Sequence, residues 1–114
     1  MHNRIRQMKL GDLEAMLLYA VCRCGNDAYG AAIAADIKRE TGDDLAMGAI
    51  YATLDRLERK ELLRSWWTAP VRTRGGRSKR VFEITAAGAT VLSEYDRRLM
   101  TIRAGWVPVP QVGQ

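Results

Sequence analysis

The chain is short of the residues from which most active sites and metal centres are assembled. It carries one histidine, His2, so neither a histidine-bearing zinc site nor a histidine-based catalytic triad can be built from it. No glycine-rich phosphate loop opens a helix and no metal-ligand cluster is spaced along the chain, so no cofactor and no enzymatic activity are expected. The two cysteines, Cys22 and Cys24, stand two apart in an apolar helical pattern. Residues so spaced point to different faces, which makes a mutual disulfide or shared metal geometrically poor, and buried free thiols are expected. No apolar run approaches the roughly 18–20 residues that cross a bilayer. Asp12 and Glu14 stand at the start of the N-terminal apolar stretch and no small-residue cleavage site follows it, so the expectation is a soluble, cytoplasmic protein without membrane contact.

Carboxylates are also missing from one long stretch. Between Glu61 and Glu83 lie Arg64, Arg72, Arg74, Arg77, Lys79 and Arg80 with no acid among them, and Arg4, Arg6 and Lys9 precede Asp12. Half of the 18 basic residues thus fall in two acid-free segments, in a chain of net charge +5 and isoelectric point near 9.6. That clustering points to a polyanionic partner. With 114 residues, 47% hydrophobic and 27% charged, the chain supports one modest core.

Hydrophobic spacing divides the chain into elements. Leu13, Met16, Leu17, Ala20, Val21 and Cys24 form one stripe of a helix with Asp12 as its N-cap and Gly25 as its stop. A second helix is expected over residues 28–41, capped by Asn26 or Asp27, with Tyr29, Ala32, Ile33 and Ile37 inward and Gly42 ending it. Met47, Ile50, Leu54 and Leu57 mark the buried stripe of a third, over 46–60, whose other face holds Gly48, Ala49, Ala52, Thr53, Arg56 and Arg59. Residues 62–68 and 80–85 read as two strands joined through Gly75-Gly76, with Trp66 and Trp67 packing in the core and hairpin. Thr85 caps a last helix over 86–104, in which Leu92, Tyr95, Leu99, Ile102 and Trp106 step alternately by three and four residues. Such a seam is expected to join two copies, the alternative being that it folds back on Leu17 and Val21. The tail over 107–114, with two prolines, is expected to be extended.

Three helices followed by a hairpin make the fold class mainly α with a two-stranded β-hairpin wing, a winged helix-turn-helix with an added C-terminal helix. The expected organisation is a DNA-binding domain over 1–85, a dimerisation helix over 86–106 and a tail over 107–114.

The sequence resembles the PadR-type transcriptional regulators, in order from Leu13 to Leu92. The matching pieces are Tyr29-Gly30, GAIYATLDRLERKELL from Gly48 to Leu63, and GGRSKRVFEITAAG from Gly75 to Gly88. Where that family's pattern carries proline, glycine and an aromatic residue, this chain has Ala52, Glu61 and Val81. The resemblance implies a repressor that binds operator DNA as a homodimer through its long C-terminal helix and releases it when a small-molecule effector or the environment changes. The short C-terminal part looks like the small subfamily, some of whose members hold planar aromatic drugs at the dimer interface. Trp106 is either placed for that or is plain interface core.

On this reading double-stranded DNA is the partner, and the major groove, about 12 Å wide, admits only the outer face of the third helix. Ala49, Ala52, Thr53 and Arg56 are the candidates for base readout, with Ala52 and Thr53 against thymine methyls or base edges. Tyr51 either reaches a backbone phosphate or packs against the hairpin. Arg74, Arg77, Lys79 and Arg80 are expected on phosphates or in a neighbouring minor groove, with Gly75 and Gly76 allowing close approach. The rival from another class is a winged-helix module that binds protein without an operator.

Overall fold

The computed structural model describes residues 9–69 and 78–106. Helix α1 spans Asp12–Cys24. Its N-cap is Gly11, not Asp12, which instead opens the first turn, where a carboxylate meets the positive end of the helix dipole. A 3₁₀ turn over Gly25–Asp27 uses up the residues expected to cap the second helix. Helix α2 therefore begins later, spans Gly30–Thr41, has Tyr29 as its N-cap and stops at Gly42. Helix α3 spans Met47–Arg59, and helix α4 spans Ala86–Arg103. The Thr85 hydroxyl accepts the Gly88 N–H at 3.0 Å, the expected cap.

Strands β1 (Leu63–Trp67) and β2 (Arg80–Ile84) pair antiparallel, from Leu63 opposite Ile84 to Trp67 opposite Arg80. The hairpin is fastened to the turn before α2: the Phe82 N–H donates to Ala28 O at 2.8 Å, and Tyr29 bridges to Val81. Leu17 and Leu18 of α1, Ile33 and Ile37 of α2, Ile50, Leu54 and Leu57 of α3, Leu63 and Phe82 of the hairpin, and Val91 and Leu92 of α4 form one core. Burying such side chains at roughly 1.5–3 kcal/mol each holds the helices in fixed relative orientation.

Two contacts position α4 and the hairpin. The end of α3 is a Schellman motif, with Leu62 N–H bonding to Leu57 O and Glu61 N–H to Glu58 O, each at 2.9 Å. It places Glu61 at φ 63°, a conformation that costs a non-glycine residue about 1 kcal/mol. At Gly88 a Cβ would strike the Leu62 carbonyl oxygen, so glycine there lets α4 rest directly on the chain leaving α3.

Several side chains lie elsewhere than expected. Met47, placed in the buried stripe, is exposed, because it is the first residue of α3 and overhangs the core. Trp66 and Trp67, expected in the core, are exposed by 44% and 67%. The strands enter the core at Leu63 and Phe82; Trp67 shares their face but stands at the far end of β1 beyond the core, whereas Trp66, by strand alternation, lies on the other face with Arg64 5.7 Å from its ring centre. The cysteines are free as expected, but Cys22 is exposed and Cys24 only half-buried, since the core faces the Leu17, Leu18 and Val21 side of α1.

Candidate nucleic-acid interface

The burial of Ile50, Leu54 and Leu57 turns the opposite side of α3 to solvent. Gly48, Ala49 and Ala52 are exposed there, and nothing lies within 4 Å of where a Cβ on Gly48 would stand. Arg59 continues this outermost line about two turns beyond Ala52 and is exposed. It makes no ion pair among the described residues. The candidates for base readout included Ala49 and Ala52 but passed over Arg59. Its signal was present in the spacing: 48, 52 and 59 share one face at 100° per residue.

Thr53 corrects the sequence reading. It is 2% exposed, and its hydroxyl donates to Ala49 O at 2.8 Å. Position 53 lies only about 60° around the helix from Ile50, on the shoulder of the apolar stripe, so it joins the core. A buried hydroxyl bonded to its own helix has no reach to a base.

The cations on the two flanks of α3 are held by acids. Glu14, a buried residue of α1, accepts hydrogen bonds from Gly11 N–H at 2.9 Å, Lys60 Nζ at 2.7 Å and Arg56 Nε at 3.3 Å. Burial pushes its pKa up, but the Gly11 N–H, Lys60 and Arg56 together outweigh this and hold it below the usual value. Arg56 thus keeps 45% of its side chain exposed while its Nε is tethered to Glu14 and its Nη2 donates to the Thr53 hydroxyl at 3.4 Å. On the other flank Arg80 departs from expectation. Its Nη1 donates to Asp55 at 3.0 Å, its Nη2 to Glu58 at 2.7 Å and its Nε to Ser65 Oγ at 3.1 Å. A guanidinium so occupied braces β2 to α3 and is not held out for a phosphate.

Lys79 is exposed, with Nζ 4.1 Å from the centre of the Tyr29 ring. Tyr51 lines a cleft with Tyr29, Trp67, Ser78, Lys79 and Arg80. A Cβ on Gly30 would collide with the Tyr51 hydroxyl, which gives the Tyr29-Gly30 pair its physical reason: α2 begins where Tyr51 needs room. The hydroxyl therefore packs toward α2, while the residue remains partly exposed. Arg74, Gly75, Gly76 and Arg77 lie outside the described residues.

The C-terminal seam divides in two. Leu92 is buried in the core of its own chain, and Tyr95, whose phenol burial and Asp12 hold above its ordinary pKa, sits against α1. Tyr19 of α1 donates to Asp96 at 3.0 Å; burial and this bond push its pKa up to about 12. Beyond that clasp, Leu99, Met100 and Ile102 are exposed. Trp106 is also exposed and lies past the helix, which ends at Arg103.

Among the described residues, no helix is long and apolar enough to cross a membrane and no group of three or more histidine, cysteine or acidic side chains could hold a metal ion.

Comparison with known proteins assigns this arrangement a lineage. Residues 17–94 match the profile of the transcriptional regulator PadR-like family. A PadR family transcription regulator from Clostridium difficile superposes with a TM-score of 0.68 at 25% identity, covering 83% of this chain and 94% of that one. A PadR-like transcriptional regulator from Bacillus cereus gives 0.68 at 20% identity, over 82% of this chain and 85% of the other. A PadR-like transcription factor from Bacteroides fragilis gives 0.62 at 22%, over 81% and 87%. No curated protein matches the chain.

Proposed function

The chain belongs to the PadR-like family of transcriptional regulators, and from that premise we propose that it is a sequence-specific repressor that binds an inverted-repeat operator as a homodimer. The observation that carries this reading is the outer face of α3. Gly48, Ala49 and Ala52 leave the helix thin where it would enter the major groove, and Arg59 stands about two turns further along it. Small side chains let the backbone approach base edges closely, Ala52 offers a methyl to thymine, and Arg59 and Arg56 have the reach for guanine or phosphate. Lys79 lies beside this face on the hairpin and supplies charge without sequence preference.

Leu99, Met100 and Ile102 supply the apolar surface through which two copies associate, placing two α3 helices on successive turns of one face of the duplex, roughly 34–36 Å apart. With about 6–10 cations on phosphates per dimer, affinity falls on the order of 10³–10⁵-fold between 50 and 200 mM salt.

The test is selection from random duplex DNA with the purified chain, followed by gel-shift titration across that salt range. Enrichment of an inverted repeat with steep salt dependence supports the reading. Recovery of no common sequence, or binding indifferent to salt, favours a module that recognises protein.

A further inference from the structure

Arg80 is the first residue of β2 after the chain returns from β1, opposite Trp67 in the end pair of the ladder. Its three donor groups are spent on Asp55, Glu58 and Ser65, and Ser65 itself donates to the same Glu58 oxygen at 2.7 Å. The guanidinium also lies 4.8 Å from the centre of the Phe82 ring, which is in the core. Both acids are one turn apart on α3, on the flank between its buried stripe and its outer face. One planar fork therefore joins both strands of the hairpin to the helix proposed to enter the groove.

We propose that Arg80, Asp55 and Glu58 are positioning residues for DNA recognition: they set the angle at which the wing leaves the reading helix, and none of the three contacts DNA. This rests on the proposed DNA-binding role of α3. It gives two acids in a basic protein a function that simple electrostatics denies them. Near a polyanion, an acidic side chain at the interface opposes binding, and its removal strengthens binding. A brace predicts the reverse, because a wing no longer fixed to α3 meets the duplex at many angles and its contacts must be ordered on binding.

The experiment compares full-length wild-type protein with Arg80→Lys, Arg80→Gln and the double variant Asp55→Asn/Glu58→Gln. Each is titrated with its selected duplex and with a scrambled one over a salt series, and backbone amide exchange is followed in the free protein. The expected result is that all three variants lose roughly tenfold in affinity for the selected duplex. Binding to the scrambled duplex changes little and the salt slope is retained. Lysine fails to rescue because it cannot form the fork, and β1 and β2 amides exchange faster while those of α1 keep their protection.

Tighter binding by the acid double variant, full activity of Arg80→Lys, or a slope reduced by about 0.9 per lost phosphate contact would overturn the proposal. If the wild type binds no duplex, the DNA reading fails separately and the positioning role falls with it; unchanged hairpin exchange in Arg80→Gln would show in addition that no brace exists.

Discussion

Helices α3 and α4 each bury one part of their surface in the common core and turn another to solvent, but the exposed parts differ in chemistry. On α3 the exposed line is Gly48, Ala49, Ala52 and Arg59, small and then cationic. On the second half of α4 it includes Leu99, Met100 and Ile102. A solvated face needs neither pattern. Small residues with cations suit a polyanion that must come close, whereas a cluster of large apolar groups suits a surface like itself, and the proposed function assigns the first to DNA and the second to another copy of the chain.

The difference can be broken at α4 first. Leu99→Asp is expected to leave a folded monomer by light scattering and to lower operator affinity by at least about 100-fold, because the second half-site is no longer engaged within one complex. A dimer that survives would mean the copies meet elsewhere. Arg59→Ala should cost about 1–3 kcal/mol of operator binding with no change in oligomeric state. An unaffected titration would remove Arg59 from the interface. Gly88→Ala drives a methyl into the Leu62 carbonyl and is expected to lower stability by about 1–3 kcal/mol, measured by urea unfolding. That would separate the anchored half of α4 from its exposed half. The smallest effect has the opposite sign: Glu61→Gly relieves the left-handed residue and should raise stability by up to about 1 kcal/mol without altering DNA binding.

Glu14 sharpens the α3 side through pH. Its folded-state pKa is lowered, so its contribution is present above the ordinary carboxylate value and is lost as pH falls through the folded one. Glu14→Gln should therefore flatten the acid limb of the stability profile. An unchanged limb would show that its bonds to Arg56 and Lys60 contribute nothing.

What was legible in the sequence was local. The Thr85 cap, the stop at Gly42, the stripe Ile50, Leu54 and Leu57 and the two strands follow from propensity and period, and the order of elements carried the fold. What was not legible depended on partners distant in the chain. Arg80 read as a wing cation because its acids lie 22 and 25 residues away, and Glu14 read only as a charge at the start of an apolar stretch because its cations lie 42 and 46 residues away. Thr53 failed for a different reason: a residue on the shoulder of an apolar stripe is sorted by its neighbours, and these enclosed it. Trp66 and Trp67 look like core by type, yet strand alternation puts Trp66 on the other face of the hairpin and Trp67 stands past the body.

The central claim is that the outer face of α3 reads bases, and Ala52 stands in the middle of it. Selection from random duplexes with wild type and with Ala52→Asn tests this most directly, since an asparagine amide can pair with both adenine N6 and N7 in the major groove. The account predicts that the variant gains a preference for adenine at one fixed position in each half-site, with the spacing of the repeat unchanged. Identical base preferences in the two selections, with binding intact, would contradict it.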